Sequence, residues 1–119
     1  MATEETLAKL WAGIETRRSD PTSRPGALIQ NPFNLRNKVM QEAYELVEAH
    51  QARLVRLETS SIPEEEGQTG FGTRRHMTGE AADLLYHVYV LLASIDVTPN
   101  DIFAVIERRM QTWVQPAAE

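Results

Sequence analysis

Apolar residues recur along the chain at intervals of three and four. Leu7, Leu10, Trp11 and Ile14 fall on one face of a helix over 3–18. The stretch SDPTSRPG, 19–26, ends it with two prolines and a glycine. Asn31-Pro32 marks a second turn. A long second helix follows over about 33–58, with Leu35, Val39, Ala43, Leu46, Val47, Leu54 and Leu57 on one broad face. SSIPEEEGQTGFGT, 60–73, combines one proline, three glycines and an acidic run. It reads as a flexible, lid-like loop with its outer edges at about 59–74. A third helix covers about 75–95. Thr98-Pro99-Asn100-Asp101 has the form of a helix start, with Thr98 as N-cap, Pro99 at the first position and Asp101 in the capping-box slot. The fourth helix carries Ile102, Val105, Ile106 and Met110, and the tail QPAAE is expected to fray. No strand, internal repeat or second domain is visible. The pattern predicts a single all-α domain over 1–119, built as a four-helix bundle.

The third helix changes this picture. Its stretch GEAADLLYHVYVLLASI, 79–95, holds seven Leu, Val or Ile residues and only two charged side chains, Glu80 and Asp83. A helix apolar on nearly every side needs more cover than one small monomer supplies, so a homodimer or larger homo-oligomer is expected. The apolar run 81–95 is shorter than the roughly 20 residues that cross a bilayer, so no membrane partner is expected. The opening MATEETLAKLW has no basic segment followed by an apolar run, so no leader is expected either. With 119 residues the chain suits one modest core, and its net charge of −5 argues against nucleic-acid binding. It has no cysteine, so any metal must be held by oxygen or histidine ligands, and a cytoplasmic location fits.

The two carboxylates in the apolar helix then ask for a reason. At 100° per residue, Glu80, Asp83 and His87 share one stripe. Glu42 and Glu45 are likewise three apart on the second helix, with Lys38 one turn before Glu42. If these helices pack antiparallel, the two pairs face each other as a cluster of four oxygen ligands. A Glu-x-x-Glu pair alone is common on solvated helix faces. The pair on the third helix is different, because burying an ionised carboxylate costs several kcal/mol or more unless it is paired. The only basic residues on that helix are at its start, Arg74 and Arg75. Mg²⁺, or Mn²⁺, would neutralise the cluster, since both prefer oxygen ligands. Cations held this way most often meet phosphates, which points to hydrolysis of a nucleotide pyrophosphate bond. No P-loop glycine pattern is present.

Around this cluster, His87 suits either a satisfied core histidine or a group that orients Asp83 or touches a phosphate. Arg74 and Arg75 suit loop charges or phosphate contacts. Arg108 and Arg109 fit a helix-dipole role.

NKVMQEAYELVEA (37–49) and GEAADLLYHVYVLLASIDVTPNDIFAVIERRM (79–110) resemble phosphoribosyl-ATP pyrophosphohydrolase, of the MazG-like all-α nucleotide pyrophosphohydrolase superfamily. LWAGIETRRSDP (10–21) is similar to that family's first helix and the acid-proline turn after it. The superfamily's EExxE and ExxD motifs read here as QEAYE and EAAD. The resemblance implies Glu42, Glu45, Glu80 and Asp83 as metal ligands, and Lys38 matches a lysine just before the acidic motif. It also implies Mg²⁺-dependent cleavage of phosphoribosyl-ATP to phosphoribosyl-AMP and pyrophosphate, in histidine biosynthesis, by a dimeric helical assembly. Lys38, Arg74, Arg75 and His87 are the candidates for substrate contact. Three departures stand out. Gln41 replaces the first glutamate, the segment between the acidic motifs is longer, and TSRPGAL stands where a Ser-x-Tyr-Thr-like stretch is expected. They leave two alternatives open: a MazG-like enzyme for other, non-canonical nucleoside triphosphates, or a non-catalytic helical dimerisation module.

Overall fold

The computed structural model describes residues 2–114 and consists of five helices: α1 (Thr3–Arg17), α2 (Arg24–Ile29), α3 (Pro32–Thr59), α4 (Arg74–Ala93) and α5 (Pro99–Val114). No strand occurs among the described residues, in agreement with the all-α expectation. The expected fraying of 115–119 lies outside them. The long helices start where the cap residues stand. The Asn31 side chain accepts the N–H of Asn34, with Pro32 opening α3. Thr73 Oγ1 accepts the N–H of His76 at the start of α4. Thr98 and Asp101 exchange both hydrogen bonds of a capping box, as the sequence pattern indicated.

A fifth helix corrects the expected count of four. In SDPTSRPG the proline and glycine begin α2 as well as ending α1. Ser23 caps it by accepting the N–H of Gly26, and Pro25 occupies an early position where no donor is needed. The same hydroxyl faces the carbonyls of Arg17 and Asp20, so α2 folds back tightly on the end of α1. Gly26 permits this approach: a Cβ there would stand 1.9 Å from the Asp20 carbonyl oxygen.

The core is small. Ile14, Leu28, Leu35, Tyr89, Val90 and Ala93 form its buried centre, with Leu7, Leu10, Trp11, Val39 and Leu92 packed around it. The rings of Trp11 and Tyr89 meet edge to face at 5.9 Å, joining α1 to α4. α3 and α4 form the main helical pair. Residue 42 faces 83, 45 faces 80 and 52 faces 72, so the two run antiparallel. Their connection, 60–73, is held at α3 in two places. Gly72, at φ +82°, lies so close to Ala52 that a Cβ would come within 2.8 Å of its carbonyl oxygen. The Glu64 carboxylate accepts from Arg53 and from the Arg74 N–H that opens α4, and it also faces Arg56.

Much apolar surface has no cover in the single chain. Phe33, Met40, Val47 and Leu54 recur every seventh residue along α3, and all are exposed, as is Tyr44 beside them. Ile102, Ile106, Met110 and Trp113 form a second exposed stripe on α5. That helix barely touches the bundle, and a cavity of about 380 Å³ separates its first turn from Leu7 and Trp11 of α1. The radius of gyration, 17.9 Å, exceeds the roughly 13.5 Å expected of a compact chain of this length.

The two helical glycines of the N-terminal region make opposite predictions. Gly26→Ala forces a Cβ into rigid backbone and is expected to lower stability by about 1–3 kcal/mol or more. Gly13→Ala meets only the flexible end of Arg17, at 3.4 Å. It is expected to be neutral or stabilising by up to about 1 kcal/mol through helix propensity. Urea unfolding of the two variants checks both signs.

Candidate functional site

The antiparallel register brings three of the four expected carboxylates together. One oxygen each of Glu42, Glu80 and Asp83 lies within 4.8 Å of the others. Glu42 is buried at 5% exposure, the Glu80 side chain is 21% exposed, and Asp83 is open to solvent. Glu45 sits at the edge of the group, where its carboxylate approaches those of Glu42 and Glu80. Gln41 holds it there: Gln41 Nε2 donates to Glu45 Oε1 at 3.1 Å. The residue that departs from the acidic motif thus orients a neighbour in place of adding another negative charge.

Two oxygens of this cluster are anomalous. Glu42 Oε2 and Glu80 Oε2 are buried and have no hydrogen-bond partner. A buried acceptor without a donor costs about 1–3 kcal/mol, and more when charged. Lys38 Nζ lies 3.1 Å from the other Glu42 oxygen and compensates it in part. The titration of the two carboxyls follows these surroundings. Burial pushes the Glu80 carboxyl above its ordinary value, and the charge on Glu45 pushes it further. Burial also pushes Glu42 up, but the hydrogen bond and charge of Lys38, together with smaller contributions from Glu45 and His87, hold Glu42 below the ordinary value. An all-oxygen donor set with two buried oxygens that lack a donor fits a hard divalent cation such as Mg²⁺.

Two histidines connect the cluster to its surroundings. His87 is buried at 3% exposure, with both ring nitrogens engaged. Nδ1 donates to the Asp83 carbonyl at 2.7 Å, and Nε2 faces Arg24 Nη2 at 3.2 Å. His76, which the sequence reading passed over, accepts the Gly72 N–H on Nδ1 and places Nε2 3.6 Å from Glu80. Its i,i+4 spacing to Glu80 was the available signal. No spacing rule pointed to Arg24, which reaches His87 across 63 residues of sequence. Arg74 and Arg75 stand away from the carboxylates, lining a cavity of about 540 Å³ with the 64–68 stretch of the loop. Arg75 Nη1 there donates to the Gly67 carbonyl.

Carboxylates thus converge from two antiparallel helices of an all-α chain, with an ammonium beside them. Residues 8–110 match the model of the family described as phosphoribosyl-ATP pyrophosphohydrolase. The chain belongs to that family, and is an enzyme of the hydrolase class. A phosphoribosyl-ATP pyrophosphatase of Rhizorhabdus wittichii is 37% identical over 110 residues, which is 90% of this chain and 86% of that protein. One of Cereibacter sphaeroides is 36% identical over 110 residues, 89% of this chain and 87% of that protein. Over a shorter stretch of 41 residues, one of Roseobacter denitrificans is 54% identical, covering 34% of this chain and 39% of that protein. No solved structure matches the chain.

The opposed shifts of Glu42 and Glu80 predict opposed effects on the metal-free protein. Glu80 titrates higher folded than unfolded, so its ionisation costs stability as pH rises from 4.5, the ordinary glutamate value, through its raised folded value. Glu80→Gln should therefore raise the melting temperature in EDTA at neutral pH, by about 2–5 °C, and the gain should vanish below pH 4.5. Glu42 titrates lower when folded. Its stabilisation is present above pH 4.5 and is lost as pH falls through its depressed folded value. Glu42→Gln should lower the melting temperature at neutral pH and converge with the parent in acid. Thermal unfolding from pH 3.5 to 8 checks both.

Proposed function

We propose that the protein hydrolyses phosphoribosyl-ATP between its α and β phosphates, giving phosphoribosyl-AMP and pyrophosphate, as a step in histidine biosynthesis. The observation that carries this reading is the pair of buried, partnerless oxygens on Glu42 and Glu80 at a centre shared with Asp83. The match to the family over 8–110 and the names of the relatives support the substrate. Water adds across the anhydride: its oxygen bonds to phosphorus, the bridging P–O bond breaks, and pyrophosphate leaves.

Glu42, Glu80 and Asp83, with Glu45 alongside, would hold Mg²⁺, for which Mn²⁺ can substitute. When bound, the cation supplies charge neutralisation and Lewis acidity toward phosphoryl oxygens. The chain's own residues do the rest. Lys38, at 29% exposure, keeps an ammonium beside Glu42 on the open side, where it can meet a phosphate. Gln41 fixes Glu45 through one oxygen, beside Glu42 and Glu80, where the carboxylate is placed to take a proton from the attacking water. His87 holds the Asp83 turn of α4 through the Asp83 carbonyl. Positioning and charge neutralisation are the main demands of this reaction class. Arg74 and Arg75 stand at the cavity by the loop, where they serve a more distant part of the nucleotide.

The functional unit in this reading is a homodimer. The heptad-spaced face of α3, the α5 stripe and the expanded radius of gyration all support it, because each leaves apolar surface that a second copy would cover. No helix among the described residues is long and apolar enough to cross a membrane. A cytoplasmic enzyme is the setting we assign. TSRPGAL and the longer 60–73 connection are the features that favour a related reading, hydrolysis of other nucleoside triphosphates by the same centre.

Pyrophosphate release from phosphoribosyl-ATP and from a panel of triphosphates separates the two readings: the first expects the highest kcat/KM on phosphoribosyl-ATP. Asp83→Asn should lower turnover at least about 100-fold, the scale of losing a key electrostatic contact, while the metal-free protein melts at the same or a higher temperature. Full activity with a less stable protein would make Asp83 a structural carboxylate and end the proposal. Sedimentation is expected to show a dimer at micromolar concentration, and a well-folded monomer there would refute the assembly.

A further inference from the structure

We infer that Arg24 is a substrate-phosphate contact of the active site, and that buried His87 is the positioning residue that aims it. The inference rests on the phosphohydrolase reading above and adds a residue that neither the sequence motifs nor that reading assigned.

The argument begins with His87. Its Nδ1 faces a backbone carbonyl, which can only accept, so Nδ1 carries the proton and donates to Asp83. Its Nε2 faces a guanidinium, which can only donate, so Nε2 presents a lone pair to Arg24 Nη2. The two partners together fix one neutral tautomer of a ring that is 3% exposed. A buried imidazole locked in this way orients the guanidinium and leaves its positive charge uncompensated.

What distinguishes Arg24 from the other arginines without an ion pair is its partner, a buried imidazole. Arg18 pairs with Glu15 and Asp96, and Arg53 and Arg56 both face Glu64. Arg24 has no carboxylate within ion-pair distance among the described residues. Its backbone opens α2, where Ser23 caps the helix and Gly26 clamps it to the end of α1, so the stem of the side chain is also anchored. The result is an exposed, pre-aimed cation, one imidazole away from the backbone of Asp83.

A guanidinium has five N–H donors in a planar fork, and His87 engages one nitrogen of Arg24. The remaining edge suits bidentate recognition of a phosphate. Two phosphate groups of the substrate have this chemistry: the triphosphate, and the 5-phosphate on the phosphoribosyl arm.

The test measures kcat and KM for Arg24→Ala, Arg24→Gln and Arg24→Lys on phosphoribosyl-ATP and on ATP, with melting temperatures alongside. For the alanine and glutamine variants we expect KM on phosphoribosyl-ATP to rise about 10- to 100-fold, the scale of a lost hydrogen bond to a charged group. Turnover should stay within about threefold, and the melting temperature should fall by only a few degrees, because His87 Nε2 loses its donor. Lysine should recover part of the loss, because it restores the charge without the fork. A KM rise confined to phosphoribosyl-ATP places Arg24 on the 5-phosphate, and an equal rise on ATP places it on the triphosphate. Unchanged KM on both substrates would overturn the inference, as would a fall in stability with KM intact. If the parent released no pyrophosphate from any nucleotide, the proposed reaction itself would fail. Calorimetric binding of phosphoribosyl-ATP and ATP to the parent and Arg24→Ala would still decide whether Arg24 grips phosphate.

Discussion

Everything near the acidic cluster depends on one unfavourable arrangement: carboxylates from α3 and α4 held together, two of their oxygens buried, without enough donors. Glu42 Oε2 and Glu80 Oε2 have no partner, and Glu45 adds a third charge beside them. Like charges at this separation push the helices apart, so other contacts must hold α3 against α4. Leu35 and Val39 supply apolar packing at one end, against the Tyr89–Ala93 segment. Gly72 against Ala52, and Glu64 between Arg53 and the first turn of α4, close the other. The carboxylates thus sit between two fastened ends of a helical pair, which is how a repulsive cluster stays assembled in a small fold.

The sequence revealed this centre because two separate periodicities met there. An i,i+3 pair in a predominantly apolar helix is conspicuous, and the second pair needed only an antiparallel register to reach it. Helix boundaries were also legible, since Asn31-Pro32 and the Thr98–Asp101 box are local signals. The structure departed from the pattern where one residue type does two jobs. Pro25 and Gly26 read as terminators, yet one opens α2 and the other allows it to touch the α1 C-terminus. Arg24 was illegible for another reason. Its partner is fixed by the way α2 lies across α4, and no short-range rule encodes that placement.

The single chain is also incomplete as a hydrophobic object. Its buried centre is drawn from α1 to α4, and among the described residues α5 contributes no buried side chain to it. Yet α5 has a capping box and a continuous apolar stripe, the marks of a helix selected to pack on something. The heptad face of α3 lies directly opposite in character to the acidic face of the same helix. One side of α3 therefore carries the acidic cluster and the other an uncovered apolar face.

The connection 60–73 has a kinetic meaning of its own. All four carboxylates lie on the two helices it joins, so the acidic cluster belongs to a single helical hairpin. Contacts between elements adjacent in sequence cost little loop-closure entropy and form early in folding. The acidic cluster is thus drawn from two helices that are neighbours in the sequence. A nascent chain meets the repulsion between these helices at the same stage at which it forms the hairpin. A divalent cation present at that stage would act on the folding barrier, and not only on the finished enzyme.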